Sequence, residues 1–207
     1  MMKTFLAAAA ALTLSAGTAS AAVVINSGDG LGPTAVHTQG SQTSTIVYGE
    51  VNSYQVAFES STLLTANGSG VAKVDGADSD DMFTDLAIYF TDYAYGIDSL
   101  NFSFFTKEAK PVNVGVEIFY VGGGSSTGSF QLLSNLTKWN IFDDGGKAFE
   151  KIVFTSNKGI EDIRQVAIAP GVAGAVPEPG AWALMIVGFG LAGAALRRQR
   201  QPLALAA

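Results

Sequence analysis

The chain has 207 residues, 48% hydrophobic and 14% charged, with no cysteine, one histidine and a formal net charge of −6. Lacking thiols, it has no disulfide staples, iron–sulfur clusters, thiolate zinc sites or cysteine nucleophiles, so stability must come from core burial. Residues 22–176 carry eight bases against seventeen acids, a net −9 that repels phosphate backbones and argues against nucleic acid as a partner.

Residues 1–21 read as a signal peptide for the Sec translocation machinery. Lys3 supplies the positive start, FLAAAAALTL forms a short apolar run, and Ala19-Ser20-Ala21 places small residues before a cleavage expected ahead of Ala22. The run is too short to span a bilayer, which needs about 20 apolar residues.

Residues 22–175 read as the exported domain. No long helical period occurs there, whereas runs of β-branched and aromatic residues recur at short intervals. Strands are expected at 44–51, 53–59, 83–90, 100–104, 112–120, 129–133, 138–142, 149–155 and 163–168. Val112, Val114, Val116, Ile118 and Tyr120 keep strict period two. Turns are expected at Gly122-Gly123-Gly124 and at Asp143-Asp144-Gly145-Gly146. Many short antiparallel strands predict an all-β fold, an antiparallel two-sheet sandwich of jelly-roll kind.

Candidate sites within this domain are few. Asp75, Asp78, Asp80 and Asp81, with Asp85 close behind, cluster in VDGADSDDMFTD. Calcium takes six to eight oxygens and such a loop supplies several, so these are candidate ligands for a structural calcium. The EF-hand spacing is absent, and an ordinary acidic turn is the favoured alternative; no cofactor is otherwise expected. His37 sits in a polar stretch with no nucleophile elbow beside it, so no triad is expected. The doublets Asp143-Asp144 and Glu161-Asp162 are poor hydrolase pairs, because neighbours on a strand point to opposite faces. They are expected as solvated loop charge. Tyr89, Tyr93, Tyr95 and Trp139 suit sugar stacking, although aromatic residues in such folds more often pack the core or its rim.

The C-terminus carries the most specific signal. Pro177-Glu178-Pro179 precedes the apolar run AWALMIVGFGLAGAAL at 181–196, and Arg197, Arg198 and Arg200 follow. Sixteen residues make roughly 24 Å of helix at ~1.5 Å each, the short end for a membrane span. The prolines keep the tripeptide extended, and the arginines place the 201–207 tail in the cytoplasm. A single transmembrane helix is therefore expected at 181–196, with Arg197, Arg198 and Arg200 as its stop.

This segment resembles the PEP-CTERM sorting signal in its PEPxxWA variant, with Pro177, Glu178, Pro179, Trp182 and Ala183 at the motif positions. The resemblance covers residues 176–200 and implies processing by an exosortase near the tripeptide. It also implies a route through the cell envelope to the cell surface or matrix, in the company of exopolysaccharide machinery. The expected protein is thus a non-enzymatic surface or matrix component associated with exopolysaccharide or biofilm. The competing expectation is a carbohydrate-binding module or carbohydrate-active enzyme. An enzyme predicts a cleft with two facing acids, and a purely hydrating module predicts a surface without aromatic platforms.

Overall fold

The structure, a computed structural model, describes residues 22–28, 33–68, 70–135, 137–172 and 185–191. The two-residue turn Asn52-Ser53 shows how local sequence sets register. Both residues have positive φ (49° and 69°), the geometry whose twist matches a tight hairpin. It joins β4 (Gln42–Val51) to β5 (Tyr54–Ala66), preceded by β1 (Val23–Ser27), β2 (Thr34–Ala35) and β3 (His37–Thr38). Then come β6 (Lys73–Gly76), β7 (Phe83–Phe90), β8 (Tyr95–Phe105) and β9 (Val112–Tyr120). The series ends with β10 (Ser125–Leu132), β11 (Trp139–Asp143), β12 (Phe149–Ile160) and β13 (Asp162–Val172). The expected strands at 83–90 and 112–120 match β7 and β9 end to end. β1, β2, β3 and β6 were not foreseen; β6 lies inside the stretch read as an acidic loop.

The two-sheet jelly-roll expectation is wrong. Hydrogen bonding runs through one continuous sheet in the order β1-β11-β8-β13-β6-β5-β7-β12-β9-β10, and β8 also pairs with β12. That extra pairing, Ile97 opposite Phe149, closes β8, β13, β6, β5, β7 and β12 into a six-stranded barrel. β9 and β10 extend from the far edge of β12, and β11 and β1 from β8, as outer strands. Long strands make closure work by changing partners along their length. β5 pairs β7 through residues 56–59 and β6 through residues 64–66. Register shifts in β4–β5, β12 and β13 bend the strands where partners change. Alternation shows only that one face of each strand is buried, and a barrel and a sandwich satisfy that equally.

The interior is filled by aromatic rings. Phe104 on β8 meets Phe102, Phe154, Phe83 and Phe130 at centroid distances of 4.9, 5.2, 6.4 and 6.4 Å. Edge-to-face pairs dominate, the arrangement that the ring quadrupole favours. Gly96 lets the barrel shut: an added Cβ would lie 2.9 Å from Ala148 Cβ and 3.1 Å from the Phe149 carbonyl oxygen.

The expected transmembrane helix at 181–196 also needs correction. The described part is a seven-residue helix at 185–191, and no helix among the described residues is long and apolar enough to cross a membrane. Its Met185, Ile186, Val187, Phe189 and Leu191 are exposed and contribute nothing to the core. The remainder of that segment, with Arg197, Arg198 and Arg200, lies outside the described residues, as does the signal peptide at 1–21.

Phe104→Ala is expected to lower the unfolding free energy by about 3–5 kcal/mol, since it empties a site ringed by four aromatics. Phe119→Ala, on the outer face of β9, should cost no more than about 1 kcal/mol. Urea titrations of the two variants compare inner and outer faces directly; equal losses would contradict the face assignment.

Candidate functional site

The aspartate cluster is divided by the fold. Asp75 sits on β6, bound to Lys73 and to Asn67 Nδ2 at 3.3 Å. Asp85 on β7 accepts the backbone amide of Ser61 at 2.8 Å and also its hydroxyl. Asp78 and Asp80 line a groove of about 420 Å³ with Glu108, whereas Asp81 shares one of about 470 Å³ with Asp75 and Glu161. Among the described residues no three His, Asp or Glu side chains group so as to hold a metal ion. His37 is exposed and stands on the short strand β3 opposite Glu50, not in a loop.

Each acidic doublet holds one buried member, Asp162 or Asp143, against the solvated loop charge expected, whereas Asp144 is exposed in its turn. Asp162 is fully buried at the start of β13, where Arg164 Nε donates to it at 2.6 Å and Lys73 Nζ lies 3.5 Å away. Arg164 also lies over the Phe105 ring, 4.5 Å from its centroid. The hydrogen bond to Asp162 holds the Arg164 guanidinium above its ordinary pKa. Burial pulls the Lys73 ammonium down, but the bond and charge of Asp75 and the charge of Asp162 outweigh it, and the net direction is up. Glu161, next in chain, turns away to Lys107 at 3.1 Å.

The other doublet divides likewise. Asp143 is buried and accepts Tyr120 Oη at 3.0 Å and the Lys147 amide at 3.1 Å, while Asp144 accepts the Ala22 amide at 2.9 Å. Asp143 does share a groove of about 300 Å³ with Asp98, whose carboxyl is pushed up by burial. Each Asp143 oxygen already holds a donor, Tyr120 of β9 on one and the Lys147 amide of the turn that leads into β12 on the other.

The four sequence-selected aromatics separate. Trp139 stacks on Phe130 at 4.2 Å and Tyr95 on Tyr54 at 4.0 Å, both against the core. Tyr93 is exposed beyond the end of β7. Tyr89 is different, because register places it in a row that crosses six strands. Tyr48 stands opposite Ala57, Ala57 opposite Tyr89, and Tyr89 opposite Lys151. Lys151 then faces Phe119, and Phe119 faces Ser125. One residue earlier on β4, β7 and β9 and one later on β5 and β12 lies the inner row Val47, Phe58, Ile88, Ile152 and Ile118, each fully buried. The pleat sends the aromatic row outward.

The three rings occupy alternate strands, β4, β7 and β9, with Ala57 and Lys151 between them. Two strand spacings put the backbone positions that carry neighbouring rings about 9.5 Å apart. Ala57 faces outward and yet has no exposure, so the flanking tyrosines lie over it. Lys151 Nζ sits 5.0 Å from the Tyr89 ring centroid and 3.3 Å from Glu59 Oε2, which fixes the ring from its other side. Burial first, then the charge and hydrogen bond of Glu59, with Tyr48 and Tyr93 adding, push the Tyr89 phenol up to about 12. At one end of the row a polar groove of about 290 Å³ gathers Gln39, Gln42, Glu50 and Gln55 around Tyr48. At the other, a groove of about 300 Å³ places Glu117, Glu150 and Val153 beside Phe119 and Lys151. Tyr48 and Phe119 were missed in the sequence, although both fall at outward positions of strands it predicts.

The fold and this face define a closed β-barrel with an aromatic outer platform. Residues 175–200 match the PEP-CTERM protein-sorting motif, so the chain carries the signal of an exported protein that an exosortase processes and directs to the cell surface. Pro177, Glu178, Pro179, Trp182 and Ala183 fall within the match and outside the described residues. No curated protein matches the chain. Among solved structures it is similar to the enzymatically active domain of tailspike protein 4 from bacteriophage CBA120. Identity is 13% and the TM-score 0.26, over 72% of this chain and 19% of that one. A likeness that weak carries no argument, and the chain spans about a fifth of that protein's length.

Asp162→Ala should cost about 2–3 kcal/mol in urea unfolding, less than a fully buried ion pair because Arg164 and Lys73 still reach water. A loss under 0.5 kcal/mol would show that the cluster does not stabilise the barrel. The Tyr89 phenol yields a pH prediction. Its folded pKa lies above the ordinary 10, so its contribution is intact below pH 10 and is lost as pH rises through 12. Unfolding free energies from pH 9 to 12 should therefore fall less steeply for Tyr89→Phe than for the native chain.

Proposed function

We propose that this protein is a non-enzymatic component of the cell surface or extracellular matrix, exported, processed at its C-terminal signal and associated with exopolysaccharide. The sorting motif at 175–200, directly after the last barrel strand, carries the reading. Its position makes the barrel at 22–172 the part that is delivered. The aromatic row supports a polysaccharide contact over a merely hydrating surface, because outward rings with amides and carboxylates beside them suit sugars and are not needed to hold water. A non-enzymatic role is supported by the engagement of Asp143 in its turn and by the separation of both acidic doublets. No cofactor is required for such a role.

Intact-mass measurement of the protein from cell-surface and medium fractions tests this. The mature chain should begin at Ala22 and end close to Glu178. Replacing Pro177, Glu178 and Pro179 by alanine should abolish the C-terminal cut. A surface protein that retains Arg200 would overturn the processing, and one that stays in the cytoplasm would overturn the whole reading.

A further inference from the structure

We infer that the outer row Tyr48, Tyr89 and Phe119 is the binding site for an extended, neutral, equatorially linked polysaccharide that lies across strands β4, β5, β7, β12, β9 and β10. This deepens the proposed matrix role and rests on it for the ligand's source. Three observations converge. First, the rings are rooted on alternate strands whose backbones lie about 9.5 Å apart, close to the repeat of alternate sugars in a ribbon-like chain such as a β-1,4-glucan. Such a chain presents flat apolar faces at every second residue on the same side, which suits rings fixed at that interval and not rings scattered at random.

Second, the positions between the rings are occupied by residues that limit their freedom. The buried outward Ala57 forms the floor between Tyr48 and Tyr89, and Lys151, tied to Glu59, lies between Tyr89 and Phe119. A platform prepared in this way loses little side-chain freedom on binding. The row spans five strand intervals, about 24 Å, room for an oligosaccharide of several residues.

Third, charge selects the class of sugar. Glu50, Glu59, Glu117 and Glu150 border the row and Lys151 is the base within it, so the site is an acidic strip on a domain already strongly negative. Uronate or sulfated polymers are repelled. Carboxylates and the glutamine amides Gln39 and Gln55 instead accept and donate to the hydroxyls along the edges of a neutral chain.

The test uses the exported protein purified from the medium of producing cells, with cellohexaose and mannohexaose as neutral β-1,4 probes and polygalacturonate as the polyanion. Isothermal titration should show binding to at least one neutral hexaose and none to polygalacturonate. Tyr89→Ala and Phe119→Ala should each weaken it at least tenfold, with unchanged circular dichroism. Leu133→Ala, exposed and off the row, should leave it unaltered. No binding to either hexaose, preferred binding of polygalacturonate, or binding indifferent to both row variants overturns the site. Co-fractionation of the native protein with the producing cells' own exopolysaccharide is scored separately. Hexaose binding without co-fractionation would overturn the matrix reading and leave the site, whereas co-fractionation unaffected by the row variants would do the reverse.

Discussion

Everything in this domain hangs on the seam where β8 meets β12. Only Ile97 and Phe149 pair across it, and Gly96 leaves the space that Ala148 and the Phe149 carbonyl need. Because the strands touch there and splay apart beyond, Phe102 and Phe104 of β8 can reach Phe154 of β12 through the interior. Burying one such ring is worth roughly 1.5–3 kcal/mol, and a chain without disulfides has little else of that size. The seam is thus a geometric condition and the phenylalanine cluster its energetic consequence. Asp162 adds a polar counterpart at the other end of β8, where β13 meets β6 and β8 and a buried carboxylate needs its two bases to be tolerable at all.

The legible and illegible parts of this chain divide along physical lines. β9, with its strict alternation, and β7, dense in apolar and aromatic residues, were readable to the residue, because both signals are local properties. β6 was hidden because its four residues, KVDG, alternate charge with one valine, and they pair only because β5 and β13 flank them. Closure was hidden for a deeper reason. Whether β8 pairs with β12 depends on a glycine and a phenylalanine 53 residues apart in sequence, and no local pattern connects Gly96 to Phe149. The C-terminal sorting motif was legible because it is read as linear sequence by another enzyme and owes nothing to the fold.

The candidate site shows the same division. Alternation identifies Phe119 as outward, between Ile118 and Tyr120, and Tyr48 as outward, between Val47 and Gly49. It does not say that these two share a row with Tyr89. That alignment is set by hydrogen-bond register over four strand pairs, and a shift by a single residue in any one would turn a ring inward. Tyr95 and Trp139, chosen on residue type alone, belong to the core rim for the same reason: strand position, not chemistry, decides which aromatic is offered to solvent.

A consequence of this arrangement is that stability and recognition occupy alternating positions of the same strands. Val47, Phe58, Ile88, Ile152 and Ile118 hold the sheet from inside while Tyr48, Ala57, Tyr89, Lys151 and Phe119 face out from adjacent positions. The backbone that positions the outer rings is therefore rigid because the inner row is packed, so the platform needs no loop ordering when a ligand arrives. A surface protein benefits from that separation. Outer residues can change without disturbing the inner row or the Gly96 seam, which hold the fold. On the outer face itself Lys151, through its tie to Glu59, braces Tyr89 from the solvent side, where no inner residue can reach.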